Sequence, residues 1–236
     1  MKIPKGHIFA DTHVHIKSDE HGAKRVEPEN LIETLEKCNL SGAIILYHSE
    51  KRDYEKNFAK AKKFCKGYSN LIPAVEMGGG ATVKYYGLDY EIKCHVAYLG
   101  EIPISDAHCG SWFCHATKYG GVLCEAESKG LRIDELGFSH PSIMESTTSA
   151  VDALRLRGKG HIALLGTDSH PNKKLDYYAL GQKGIMIEGD DFNYNTFMDA
   201  LKQNNIGYFT KKGSNYFYFS PKDLSEDEII LRKFQD

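Results

Sequence analysis

The sequence predicts an α/β domain built on a largely parallel sheet. Three observations lead there. Short apolar runs rich in Ile, Val and Leu recur along the chain; amphipathic, helix-like segments separate most of them; and no repeat, linker or low-complexity stretch divides the 236 residues. Residues 1–236 are therefore expected to form a single domain. Seven strands with helices between them allow a barrel, an architecture in which chemistry collects at the C-terminal strand ends.

Ile8 to His15 reads as a buried strand ending in two histidines. Glu27-Pro28-Glu29-Asn30 opens a helix, since Pro is tolerated in a first turn, and Leu31, Ile32, Leu35 and Leu40 lie near helical spacing. Ala43 to His48 is the second strand. Asp53 to Lys66, Lys-rich and amphipathic, is a surface helix. Leu71 to Glu76 is a third strand weakened by Pro73, and Gly78-Gly79-Gly80 is a flexible break. Glu91 to Leu99, which contains His95, is the fourth strand. Ser105 to Leu131 is expected to hold helical pieces interrupted at Gly120-Gly121. Leu136 to Pro141 is the fifth strand and Ser142 to Arg157 a helix. His161 to Asp168 and Gly184 to Glu188 are the sixth and seventh strands. Phe192 to Asn204 is a helix with Phe197, Met198 and Leu201 on its apolar side; Tyr216 to Phe219 is an edge strand; the charged tail from Ser225 is a surface helix.

Composition narrows the function. Thirty Lys plus Arg stand against 32 Asp plus Glu, a net charge of -2, which disfavours binding of long nucleic acid. No apolar stretch approaches the roughly 18 residues that span a bilayer, so no membrane partner is expected. Met1 to Phe9 lacks the apolar content of an export signal, so a cytoplasmic protein is the default. None of the six cysteines (Cys38, Cys65, Cys94, Cys109, Cys114, Cys124) forms a C-x-x-C pair. They read as reduced, mostly buried thiols rather than a zinc ribbon. None precedes a phosphate loop ending in Arg, which sets aside a cysteine phosphatase.

The 11 histidines are the unusual count, and their placement carries the chemistry. In His13-Val14-His15 the two imidazoles are two apart on a strand, so both point to one side and can reach one metal cluster. Asp168-Ser169-His170 repeats the spacing with a carboxylate, a pairing that suits zinc, manganese or iron. Glu76 ends a strand, where a carboxylate can bridge two cations. His48, His95 and His140 sit in similar strand settings. Each signal alone is also what ordinary polar strand ends look like; together they form an ordered set.

That order, from His13-x-His15 through His48, Glu76, His95 and His140-Pro141 to Asp168-x-His170, resembles the polymerase and histidinol phosphatase (PHP) family of metal-dependent phosphoesterases. The resemblance runs from about Phe9 to Tyr208. Its strongest pieces are Ala10-Asp11-Thr12-His13-Val14-His15, Val75-Glu76, Ser139-His140-Pro141 and Thr167-Asp168-Ser169-His170. Gly184 to Phe209 looks like the family's closing strand and helix. The resemblance implies a distorted (β/α)7 barrel of the TIM type with two or three divalent metals (zinc, manganese or iron) at its C-terminal face. It makes His13, His15, His48, Glu76, His95, His140, Asp168 and His170 ligands. The family's Asp before His48 is missing, since Leu46 and Tyr47 stand there. A further ligand is implied a few residues after His15; His21 matches members that use His, and Glu20 those that use Asp, with Asp19 beside them.

The resemblance thus implies a phosphoesterase acting on a small phosphorylated metabolite, a nucleotide or an oligonucleotide end, with a hydroxide generated at a di- or trinuclear site. Glu76 is the expected bridging carboxylate, and His48 or His21 the proton donor to the leaving oxygen. Lys173 and Lys174, and with less support Arg155 and Arg157, are candidates to meet phosphate, although solvated charges look the same. His7 and His161 read as surface or strand-edge residues, and His108 and His115 fall in the irregular region. Two alternatives stand beside this reading: a metal-dependent amidohydrolase using the same kind of site, and a non-catalytic scaffold subunit.

Overall fold

The computed structural model describes residues 5–17, 25–100, 112–115, 121–132, 135, 137–140, 143–158, 160–172, 174–213 and 215–219, with residues 112–115 and 137–140 placed by backbone alone. The chain begins with parallel β-α-β units. β1 (His7–His15) pairs with β2 (Gly42–Ser49), and β2 with β3 (Leu71–Tyr85), both in parallel. Helices α1 (Pro28–Lys37) and α2 (Tyr54–Cys65) are the crossovers. Pro28 occupies the first turn of α1, where its missing N–H is no loss, and Leu31 and Leu35 are buried one turn apart. In α2, Tyr54, Phe58, Ala61 and Cys65 recur at helical spacing, and all four are buried.

The expected (β/α)7 barrel is not what forms. After β3 the chain returns through a two-residue turn into β4 (Leu88–Tyr98), antiparallel to β3 from Tyr85↔Leu88 to Val75↔Tyr98. Tyr86 and Gly87 both have left-handed φ, +48° and +80°, the conformation a tight two-residue hairpin needs. Two residues cannot hold a helical crossover, so the β-α alternation ends there. The Gly78-Gly79-Gly80 run, expected as a break, lies inside β3 because β4 supplies ladder partners along it. Pro73 is tolerated because it precedes the point where β4 joins, so β3 has one fewer neighbour there.

β5 (Trp112–His115), within the region expected to be helical, pairs antiparallel to β4. Helix α3 (Val122–Ser128) follows, and then β6 (Gly137–His140), which pairs antiparallel to the far part of β3. The helix expected from Ser142 begins only at α4 (Ala150–Gly158); Ile143–Ser146 forms β7 instead, parallel to β5 and to β8 (Ile162–Leu165). β9 (Lys183–Glu188) pairs antiparallel to β1. Helix α5 (Tyr194–Lys202) is capped by Asn193, whose side chain accepts from the Thr196 N–H at 3.0 Å. The chain then adds β10 (Gly207–Lys212), not foreseen, and β11 (Asn215–Phe219).

The result is one mixed sheet of 11 strands in the order β11-β10-β9-β1-β2-β3-β4-β5-β7-β8, with β6 beside β3. Among the described residues it does not close into a barrel. Both faces are covered. Ile8, Ala10, Ile44 and Leu46 pack in one apolar cluster, while Phe9, Ala43, Ile45 and Tyr47 pack in another with α1. The charged tail lies outside the described residues, and among these no helix is long and apolar enough to cross a membrane.

Candidate metal centre

The site is built where β1, an interior strand of the sheet, meets the segment after β8. Two backbone hydrogen bonds tie them: Ser169 N–H to the His13 carbonyl at 3.1 Å and His15 N–H to the Ser169 carbonyl at 2.9 Å. An isolated parallel bridge, Val14↔Ser169, lies between them. Asp11 tightens the junction from below. Its Oδ1 accepts the backbone N–H groups of His13 and Thr167, each at 3.0 Å, and its Oδ2 accepts the Thr167 hydroxyl at 2.5 Å. Burial pushes the Asp11 carboxyl up to about 6, against the lowering effect of these hydrogen bonds. Asp168 follows at φ +53°, a left-handed conformation that Asp adopts more readily than most residues.

Around that junction the side chains converge. His13 Nε2 and His15 Nε2 are 3.0 Å apart. Glu76 Oε2, from β3, lies 3.6 Å from His13 Nε2, 3.2 Å from His15 Nε2 and 3.5 Å from His48 Nδ1. Its other oxygen lies 3.4 Å from His95 Nδ1 on β4. Asp168 Oδ1 is 3.7 Å from His13 Nε2, 3.5 Å from His15 Nε2 and 3.3 Å from His170 Nε2. The His15 ring stacks on those of His48 and His170, with centroids 4.3 and 4.0 Å apart. The register explains part of this: His48↔Glu76 are parallel-pair neighbours, and His95 faces Gly78, two residues beyond Glu76.

Seven sequence candidates thus share one place: His13, His15, His48, Glu76, His95, Asp168 and His170. His140 is placed only by its backbone, opposite Thr82 on β3. Asp19, Glu20 and His21 lie outside the described residues, as do His108 and Lys173. Arg155 pairs with Asp152, and Arg157 donates to the carbonyls of Asn204 and Ile206, so both arginines serve α4 and its neighbours. His161, expected at the surface or a strand edge, is buried just before β8.

Sequence reasoning missed Glu145. It lies on β7, fully buried, and its carboxylate meets His13 Nδ1 at 2.6 Å and accepts the Thr12 hydroxyl. Reading Ser142 to Arg157 as one helix hid it. The available signal was an acid inside the apolar run Ile143-Met144-Glu145, where a charge needs a buried partner. Asp11, in sequence simply part of the Ala10-Asp11-Thr12-His13-Val14-His15 run, is a buried acceptor under the cluster. The β1–β2 register shifts between Asp11 and Val14, and such an irregularity re-aims side chains. Thr12 and His13, neighbours in sequence, both reach Glu145.

The electrostatics suit cation binding. Burial opposes an imidazolium at His13, but the carboxylates of Glu145 and Glu76 outweigh it and hold the ring well above the usual histidine range. Glu76 is mostly buried, which favours its neutral form, yet the neighbouring His13, His15 and His95 keep it ionised well below the usual range. Two ligand sets emerge, His13–His15–Asp168 and His15–His48–His170, each with its donor atoms within 4.8 Å of one another. Imidazole nitrogens with carboxylate oxygens are a donor set for zinc, manganese or iron. Buried His15 Nδ1 has no hydrogen-bond partner among the described residues, so no neighbouring acceptor among them fixes its tautomer. Compared with protein-family models and with curated protein sequences, the chain matches none.

Two predictions arise from this geometry. Gly166, between β8 and Thr167, leaves no room for a side chain: an added Cβ would stand 2.7 Å from Glu145 Oε1 and from His13 Cβ, and 2.9 Å from Thr12 Oγ1. Gly166→Ala is expected to cost about 1–3 kcal/mol by overpacking and to lower metal content, measured by thermal unfolding and elemental analysis of the same sample. The second concerns pH. Glu145 and Glu76 strengthen the proton affinity of His13, and a hydrogen bond to Glu76 does so for His95. A cation must displace those protons. Metal affinity is therefore expected to fall as pH drops, starting above the ordinary histidine range, by about tenfold per pH unit for each proton displaced. Calorimetry in buffers of different ionisation enthalpy counts the protons; no release would refute the coupling.

Proposed function

We propose that this chain is a metal-dependent phosphoesterase of the kind the PHP resemblance implies, hydrolysing a phosphate ester of a small metabolite, a nucleotide or an oligonucleotide end. The observation that carries the reading is the convergence of four imidazoles and one carboxylate into two overlapping ligand sets, with Glu76 and His95 against them. A neutral imidazole nitrogen coordinates one cation, so His15 serves one set at a time. Glu76, whose two oxygens face different histidines, would hold cations from both sides in this reading. Two or three divalent cations, zinc, manganese or iron, would supply Lewis acidity, lowering the pKa of water to about 7 and neutralising phosphoryl oxygens.

The protein's own groups have distinct tasks in this reading. His13, His15, Glu76 and Asp168 form the inner wall, and His95 and His170 flank it. His48 lies at the rim with its side chain about half exposed, where it can give a proton to the departing oxygen without leaving the site. The compartment we infer is the cytoplasm, which suits the free thiols of Cys38, Cys65 and Cys124.

The test is direct. Untagged protein, purified without chelators, should contain two or three equivalents of these metals and hydrolyse 4-nitrophenyl phosphate, losing both on chelation and regaining both on readdition. Protein that stays metal-free after incubation with all three cations would refute the proposal.

A further inference from the structure

Beside the metal cluster lies a pocket of about 290 Å³. Two cluster members, His15 and His48, form part of its wall; Lys17, Arg25, Tyr47 and Asn57 are the polar remainder. The pocket therefore continues the candidate metal centre outward rather than standing apart from it. Lys17 is anchored to the cluster, because its backbone carbonyl lies 3.3 Å from His170 Nδ1.

The two cations are held together by the backbone. Lys17 and Arg25 form an isolated antiparallel bridge, and the neighbouring Val26 N–H donates to the Ile16 carbonyl at 2.9 Å. Bridge partners project to the same side, and like charges placed directly opposite are destabilising. Among the described residues neither cation has an ion-pair partner. The Arg25 guanidinium instead lies over the Tyr47 ring, 5.1 Å from its centroid, so its planar fork is pre-positioned by stacking. Asn57 is already committed through its amide to Ser49 and the His48 carbonyl, and accepts from Lys60. Among the described residues, the charged groups that line the pocket without an ion-pair partner are the cations Lys17 and Arg25.

We propose that Lys17 and Arg25 form a second anion subsite, and that the substrate carries, besides the phosphate taken by the cluster, a second anionic group (phosphate or carboxylate) a few bonds away. This rests on the phosphoesterase reading for the first phosphate and adds a substrate class to it: small phosphate esters whose leaving group itself carries an anionic group. The chemistry is simple. Two cations in a concave wall attract an anion, Arg25 by a bidentate fork and Lys17 as a point charge, while Tyr47 gives the connecting carbons an apolar surface.

The experiment compares alkane-1,n-diol monophosphates with the matching bisphosphates for n from 3 to 6, in wild type and in a Lys17→Gln plus Arg25→Gln variant. Each charged contact contributes about tenfold. Wild type should favour the bisphosphate in kcat/KM by about tenfold or more at one chain length, mainly through KM. The variant should bring the ratio near one while keeping its metal content. Binding of propane-1,3-bisphosphonate, followed by calorimetry, reads the subsite without turnover. A ratio near one in wild type at every chain length, or an unchanged preference in the variant, overturns the subsite. Failure to hydrolyse any monophosphate strikes the phosphoesterase reading instead; bisphosphonate binding that weakens in the variant would then still support the subsite.

Discussion

Replacing His15 by alanine is expected to strip the cluster of most of its metal and to lower phosphoester hydrolysis by at least about 10³-fold. No other residue belongs to both ligand sets. Its Nε2 lies within 3.5 Å of His13, Glu76 and Asp168 groups, and its ring stacks on His48 and His170. Removing it takes a donor from whichever cation it serves and the packing surface from two further ligands. His48→Ala is the instructive contrast: the ring is at the rim and belongs to one set alone, so this variant should keep metal at the His13–His15–Asp168 set. A kcat that falls with the total metal content unchanged is the signature of a proton donor, and one that falls with loss of a cation that of a ligand. Elemental analysis and kcat measured on the same samples, with circular dichroism to confirm folding, separate the two effects. A His15→Ala protein that is folded, fully loaded and active would end the idea that His15 is a ligand.

How much of this was legible in the sequence depends on whether the information is local. His13 and His15 could be placed together because a strand alternates every two residues, and the same period applies to Asp168 and His170. Glu76 could be placed at a strand end from the apolar run before it. Glu145 could not, because β7 is four residues long, too short to show a period, and is held as a strand by β5 and β8 rather than by its own propensity. β10 and the antiparallel course of β9 were hidden for the same reason: pairing direction is set by distant partners. The hairpin was more accessible. Tyr86-Gly87 between Val83 and Leu88 is a turn signal, and weighing it would have ended the β-α alternation at β3 and with it the argument for a barrel.

Glu145→Gln is expected to weaken metal binding by about 10- to 100-fold, the usual cost of removing a group that orients a ligating histidine. Glu145 accepts at His13 Nδ1, which leaves the Nε2 lone pair facing His15, Glu76 and Asp168. Glutamine preserves shape and one acceptor, and its amide can donate to a rotated Thr12 hydroxyl, so the fold should survive. Glu145→Ala leaves a buried imidazole without its carboxylate and should cost about 3–5 kcal/mol. The decisive readout is pH. Glu145 is one of the two charges that raise the proton affinity of His13. Without it His13 gives up its proton at lower pH, so protons compete less with the cation. The variant's affinity should therefore be lower at the high-pH plateau, yet begin to fall only at a lower pH than in wild type. A residue that served packing alone would lower the plateau without moving that onset, and calorimetric titrations across the pH range distinguish the two.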